Sequence, residues 1–280
     1  MSATPATDTA DTEASPVAAP ARPPAIHGVP ADQRRAIVVG ASSGMGAALV
    51  KQLAGEGYQV AALARRAEAL DALAAECAAS AAASGGAVHV HAHDVQATGE
   101  VAELYERIVR ELGGLDLFVF AAGIMPPVGK HEYDTDTDLA VIAINLAGCI
   151  AWTNAAANTF RTQRAGTIVG ISSIAGDRGR KGFPVYATSK AGMDCYLESL
   201  RNRLSEEGVH VCTIKPGFID TPMTQDLEGL FWLITAEQAA ERILNAARSR
   251  ANVRYVPYRW KWVGLVLRLI PSFIFRKLNF

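Results

Sequence analysis

Tyr186 and Lys190 stand four residues apart in Tyr-Ala-Thr-Ser-Lys, and Ser173 lies upstream of the tyrosine. On an α-helix, positions i and i+4 share a face, so this spacing brings the Lys190 ammonium to the Tyr186 phenol. A nearby cation favours phenolate and draws a phenol's pKa down from about 10. A phenol tuned in this way can donate or accept a proton near neutral pH. Ser173 adds a hydroxyl that can hydrogen-bond a carbonyl oxygen. Together the three residues predict proton transfer at a carbonyl or alcohol. Tyr and Lys at this spacing also occur on amphipathic helices with no chemistry, so the rest of the chain must supply a reactant.

That reactant is indicated by Gly40-Ala-Ser-Ser-Gly-Met-Gly46. The β-branched run Ala36-Ile37-Val38-Val39 reads as a buried strand, and an Ala/Leu-rich helix follows from about Met45. Strand, glycine turn and helix form the context of a dinucleotide-binding fingerprint. Glycine lets the backbone approach a pyrophosphate, and the helix N-terminus faces its negative charge. The spacing is G-x-x-x-G-x-G rather than G-x-G-x-x-G. Gly40, Ser42, Ser43, Gly44, Met45 and Gly46 are the expected cofactor contacts of this turn.

These motifs, in this order, resemble the classical short-chain dehydrogenase/reductases over about residues 34 to 257. The resemblance implies a single-domain α/β doubly wound Rossmann fold with a mostly parallel seven-stranded sheet. It implies that Asn145 joins Ser173, Tyr186 and Lys190 in catalysis, holding a water for proton relay, and that Lys190 also holds the nicotinamide ribose. It further implies that Asp94 and Val95 lie near the adenine, and that Ala122 and Gly123 line the cofactor site. Pro216, Gly217 and Thr221 likewise match the family's cofactor-binding turn, with Thr221 facing the carboxamide. One departure is plain. The family's Asn-Asn-Ala-Gly reads Phe120-Ala121-Ala122-Gly123 here, so the asparagine contacts that brace the fourth strand are missing.

Elements that could position these residues alternate along the chain. Strands are predicted at Gln59 to Leu63, Val88 to His93, Leu117 to Phe120, Thr167 to Ile171 and Val209 to Ile214, with helices over Ala67 to Ala83 and Val101 to Leu112. Alternation of this kind implies a parallel sheet with right-handed crossovers. Ligands then sit at the carboxyl ends of the strands. The glycine turn, Asp94, Ser173 and Pro216 all follow predicted strands, which gathers them on one edge.

Length and composition agree with one α/β domain: 280 residues, 50% hydrophobic, 20% charged and net charge −1. That balance gives no electrostatic argument for nucleic acid. Cys77, Cys149, Cys195 and Cys212 are scattered without a CxxC and read as small buried hydrophobes of a reducing compartment. His89, His91 and His93 alternate at strand period, but no zinc-ligand spacing elsewhere completes a metal site. Residues 1–33 are rich in Ala, Pro and Thr and read as a disordered tail with neither a secretory h-region nor a basic transit pattern.

The second strand ends Leu63-Ala64-Arg65-Arg66 rather than in the acid that binds an NAD ribose. Arginine can pair with a 2′-phosphate, so Arg65 predicts NADP(H). Ser42 and Ser43 offer further hydroxyl contacts. Between Thr221 and Ala236 a lid carries Leu227, Leu230, Phe231, Trp232, Leu233 and Ile234, either packed on its own domain or covering an apolar acceptor. Residues 258–280 carry Arg259, Lys261, Arg268, Arg276 and Lys277 with no acid, among tryptophans and aliphatics. The apolar run is too short to cross a bilayer of about 30 Å, so a helix on an anionic membrane surface is expected. The alternative is a helix covering a partner subunit or the substrate cleft. This tail, and Ser173-Ile-Ala-Gly-Asp-Arg-Gly-Arg-Lys181, resemble a bacterial subgroup that includes a decaprenylphosphoryl 2-keto-pentofuranose reductase. The resulting expectation is an NADP(H)-dependent oxidoreductase for a carbonyl or secondary alcohol of an apolar or lipid-linked small molecule. It is expected to be cytoplasmic or peripheral at the membrane, and a homo-dimer or tetramer. The alternatives are a 3-ketoacyl or hydroxysteroid-type reductase and a non-catalytic nucleotide-binding regulator.

Overall fold

In the computed structural model, residues 34–129 and 131–278 are described; the predicted tail over residues 1–33 lies outside the described residues. The first half of the chain alternates strand and helix: β1 (Arg35–Val39), α1 (Gly44–Gly55), β2 (Gln59–Ala64), α2 (Ala67–Ser84), β3 (Ala87–Ala92), α3 (Val101–Leu112) and β4 (Leu117–Phe120). Then come α4 (Thr135–Ile142), a π-turn over Ala143–Ala147, α5 (Gly148–Gln163) and β5 (Thr167–Ile171). After a short 3₁₀ turn at Ile174–Asp177 follow α6 (Pro184–Arg203), β6 (His210–Pro216), the two-residue strands β7 (Ile219–Asp220) and β8 (Ile234–Thr235), α7 (Ala236–Arg248) and β9 (Val253–Val256). The chain closes with α8 (Trp260–Leu269) and α9 (Ser272–Phe275).

Seven strands form one sheet in the order β3-β2-β1-β4-β5-β6-β9, and every pairing is parallel. This is the doubly wound Rossmann architecture that the family resemblance implies, with the parallel sheet that the alternation predicts. Strands buried on both faces read as unbroken apolar runs, because helices cover each side. In β1, Ala36 and Val38 point into the core under α1, α2 and α7, whereas Ile37 and Val39 point into the core under α3, α5 and α6. The side-chain period of two makes that division. Each fully buried Leu, Ile or Phe in these layers contributes about 1.5–3 kcal/mol of transfer free energy.

The order reverses beside β1. The chain runs outward through β2 and β3, then returns to add β4 on the other side of β1. Loops after β1 and β4 therefore diverge and leave a crevice at the carboxyl edge. Gly40 makes the crevice possible: its φ of +91° suits glycine, and a side chain there would enter the Ala122 backbone.

Two sequence expectations need correction. Cys195 is exposed on α6, whereas Cys77, Cys149 and Cys212 are buried; the apolar pattern around Cys195 belongs to its neighbours Met193 and Leu197. His93 lies just past β3 rather than within it, while His89 and His91 are in the strand. His89 meets Gln59 at 3.2 Å, His91 faces Glu111 at 3.5 Å and His93 faces Glu100 at 3.7 Å.

Candidate active site

A cavity of about 420 Å³ opens along the carboxyl edge between β1 and β4. Gly40, Ser42, Ser43, Gly44, Met45 and Gly46 form one wall, with Val95, Ala122, Gly123 and Thr221 opposite. Ser43 caps α1 by position but makes no side-chain capping hydrogen bond. The first-turn amides of α1 are thus left to an anion, the cradle a pyrophosphate needs. Arg65 and Arg66 stand at one end, where β2 stops. Arg65 Nη1 is 3.9 Å from Asp94 Oδ2. Arg66 Nη2 donates to Ser42 Oγ at 3.0 Å. The residues present fit an elongated dinucleotide. Arg66 and His93 also line this cavity, although neither is among the contacts expected from the sequence. Only β2's end point and the Ser42 bond reveal Arg66.

Not every expected cofactor contact falls here. Asp94 does not line the cavity; its Oδ1 accepts from Gln96 N at 3.0 Å and shapes the turn after β3. Pro216 and Gly217 line a neighbouring cleft instead. Lys190 and Asn145 lie beneath the cavity floor, beside Gly123: a Cβ built on that glycine would stand 3.3 Å from Asn145 Oδ1 and 3.5 Å from Lys190 Nζ.

The four candidate catalytic residues converge from three elements. Ser173 follows β5; its Oγ accepts from Ala175 N at 3.1 Å, and its hydroxyl hydrogen-bonds the Tyr186 phenol. Tyr186 enters on the first turn of α6, where Pro184 starts the helix. Lys190, one turn further, sends Nζ to the Ile171 carbonyl at 2.9 Å. Asn145 sits in the π-turn, a distortion frequent at functional sites. Its Nδ2 donates to Ile124 O at 3.0 Å and Ser189 Oγ at 3.1 Å, and its Oδ1 accepts from Ile124 N at 2.8 Å. This side chain braces the segment after β4, in which the Ala121-Ala122 pair lacks amide side chains. Both Asn145 donors are spent, so a relay water would meet only the second lone pair of Oδ1 or the backbone.

Electrostatics differ from the expectation drawn from spacing. Burial raises the Tyr186 phenol pKa above its ordinary value, with the Ser173 hydroxyl and the Arg180 charge pulling the other way. Lys190 stands 5.8 Å from the Tyr186 ring centroid and does not set this balance. Burial instead lowers Lys190 itself to about 8. The i,i+4 relation places the two residues on one face, but the ammonium turns toward the sheet and the cation acting on the phenol is Arg180. Three cations crowd Arg178-Gly-Arg180-Lys181, and spacing could not tell which one faces the tyrosine.

The neighbouring cleft, about 320 Å³, is lined by Ser173 and Tyr186 and joins the nucleotide cavity at Met45, Thr221 and Met223, which line both. Phe183, Phe218, Leu227, Leu230 and Trp260 make its walls apolar. The C-terminal segment supplies part of this wall. Trp260 is buried against Ile174 and Tyr255 and stacks on Phe231 of the lid at 5.0 Å between centroids. A side chain on Gly217 would enter the Trp260 indole, and one on Gly264 the Asp177 carboxylate. Arg178 Nη1 donates to the carbonyls of Leu267, at 2.6 Å, and Ile270, and the guanidinium lies 3.9 Å over the Phe275 ring. From this segment Trp260, the first residue of α8, lines the cleft. Below it, Lys215 pairs with Asp177 and, at 2.9 Å, with Asp194, while Tyr255 donates to Asp177 at 2.8 Å. That buried cluster fastens the turn after Ser173, α6, β6 and β9 to one another.

Comparison with known proteins places this geometry. The profile described as "short chain dehydrogenase" matches residues 34–229. An uncharacterized oxidoreductase of Staphylococcus saprophyticus is 31% identical over 227 residues, covering 80% of this chain and 96% of its own. A 3-oxoacyl-[acyl-carrier-protein] reductase of Bos taurus is 33% identical, covering 68% of this chain and 77% of its own. Among solved structures, a short-chain type dehydrogenase/reductase from Mycobacterium marinum superposes with a TM-score of 0.72 at 26% identity, over 80% of this chain and 95% of its own.

Proposed function

The chain belongs to the short-chain dehydrogenase family, an oxidoreductase family whose members bind a nicotinamide cofactor, and from that premise we propose NADP(H)-dependent interconversion of a carbonyl and a secondary alcohol on an apolar or lipid-linked substrate. The observation that carries the reading is the junction of the two cavities at Met45, Thr221 and Met223, with Ser173 and Tyr186 lining the cleft.

A nicotinamide dinucleotide, when bound, supplies or accepts the hydride. The glycine turn and the α1 N-terminus hold its phosphates. Arg65 and Arg66 would hold a 2′-phosphate, Arg66 with Ser42 beside it. Lys190, beside Gly123, would hold the ribose hydroxyls, and Thr221, which lines the cavity, would bind the carboxamide. In reduction, Tyr186 Oη gives its proton to the carbonyl oxygen, and Ser173 Oγ donates a hydrogen bond to the same oxygen. In oxidation, Tyr186 Oη takes that proton back. Asn145 holds the floor through Ile124. The lid and Trp260 exclude water from the apolar half of the cleft.

The outer face of α8 supports a further part of this reading. Trp262, Val266 and Leu269 are exposed, Leu269 at 72%, and Phe273 and Ile274 continue the patch. Five cations flank it without an acid. We assign this face to an anionic membrane surface on the cytoplasmic side, with α8 lying flat and its inner face closing the cleft. Polyprenyl-phosphate keto-sugars are one substrate type that meets both conditions, and a homo-oligomer is the assembly we expect. A 3-ketoacyl substrate is the second reading, favoured by the similarity to the bovine 3-oxoacyl reductase. NADPH oxidation by the full-length protein, measured across 3-ketoacyl thioesters, ketosteroids and polyprenyl-phosphate keto-sugars, tests the proposal. Turnover of the keto-sugars above the other classes is expected; a clear preference for the thioesters would install the second reading. No turnover of any carbonyl with either NADPH or NADH, despite nucleotide binding, would overturn both.

A further inference from the structure

The acceptor cleft contains a cation, Arg180, that no described residue neutralises. Besides Tyr186, two ionisable side chains line the cleft: Arg180 and, on the lid, the exposed Glu228. No ion pair joins them, and Arg180 makes no hydrogen bond or ion pair among the described residues. Its neighbours contrast with it. Arg178, two residues earlier, is committed to the Leu267 and Ile270 carbonyls and the Phe275 ring. Arg201 donates to Val211 O at 2.8 Å and Thr213 Oγ1 at 2.9 Å. Lys215 lies between two carboxylates.

A partly buried guanidinium without an anion costs free energy that a bound oxyanion offsets. Arg180 carries that cost, since burial weakens its hold on its proton and its charge reaches the Tyr186 phenol. The planar fork of a guanidinium matches phosphate or carboxylate in two parallel hydrogen bonds.

Resting on the carbonyl oxidoreductase reading above, we propose that Arg180 anchors an oxyanion of the substrate, so that the acceptor is an anionic amphiphile. Its carbonyl meets Tyr186 and Ser173, its phosphate or carboxylate sits close by on Arg180, and its apolar remainder runs along Leu227, Leu230 and Trp260. A neutral acceptor of the same shape leaves the guanidinium desolvated and unpaired, so the site discriminates against it.

Calorimetric titration of the full chain with hexyl phosphate, hexanoate and hexanol tests the anchor without turnover. One or both anions bind about 10- to 100-fold tighter than hexanol, and the tighter of the two names the oxyanion. Arg180→Met removes the advantage, and Arg180→Lys restores part of it. Equal binding of hexanol, or an advantage that survives in Arg180→Met, overturns the proposal. Kinetics separate the anchor from a general effect on the phenol. The ratio of kcat/KM for a keto acid to that for its methyl ester falls toward one in Arg180→Met; if both substrates slow equally, the arginine acts on Tyr186 alone and the anchor is refuted. Failure to reduce any carbonyl compound sinks the carbonyl reading, and the binding comparison then judges Arg180 by itself.

Discussion

Lys190 Nζ lies 2.9 Å from the carbonyl oxygen of Ile171, the last residue of β5 and two residues before Ser173. One buried ammonium thus ties the Tyr186 helix to the strand that delivers the serine. The tie has a cost, because burial lowers the Lys190 pKa from 10.5 to about 8.

Linkage gives that cost a pH signature. Below about pH 8 the folded protein bears the whole penalty of a buried ammonium. Between about 8 and 10.5 the unfolded chain holds more protons at this site, so stability rises with pH. Urea denaturation of the parent and Lys190→Met should show the parent gaining on the variant across that window. A pH-independent difference would show that the ammonium is not buried at a penalty.

Tyr186→Phe deletes the transferable proton and leaves the ring and α6 in place. Turnover is expected to drop by at least 10²-fold, the scale of a lost general acid, with NADPH binding retained by fluorescence titration. Parental turnover in the variant would assign the proton to another group.

Arg65 and Arg66 flank the end of the nucleotide cavity, and the substitutions Arg65→Asp and Arg66→Asp divide the 2′-phosphate contact between them. Each is expected to weaken NADPH relative to NADH by about tenfold or more, the scale of a charged hydrogen bond. Because Arg66 is already bonded to Ser42, the larger effect is expected at Arg65. Equal affinity of the parent for NADPH and NADH at moderate salt would remove the preference altogether.

The membrane face is tested where it does not support the fold. Truncation at residue 257 would strip Trp260 from the cleft, so the informative variant is Val266→Asp with Leu269→Asp, both exposed. Vesicles rich in anionic lipid should sediment the parent at low salt, release part of it at high salt, and leave the variant in the supernatant. Each cation near the surface contributes about 1 kcal/mol. If parent and variant partition alike, the outer face of α8 is not a lipid contact.

The sequence alone determined whatever depends on residues close along the chain. β1, its glycine turn and α1 were legible because a buried strand must be an apolar run and Gly40 must tolerate a positive φ. The Tyr186–Lys190 face was legible because helical spacing is fixed by backbone geometry. Only the tertiary structure decided what depends on burial and distant partners. Lys190 turned to Ile171 rather than to the phenol, since a buried strand-end carbonyl stood in reach. Arg178 was drawn under α8 while Arg180 was left in the cleft, a choice set by a helix about ninety residues downstream that no local pattern encodes. Trp260 became a wall of the acceptor cleft because Gly217, on the loop after β6, leaves room for its indole.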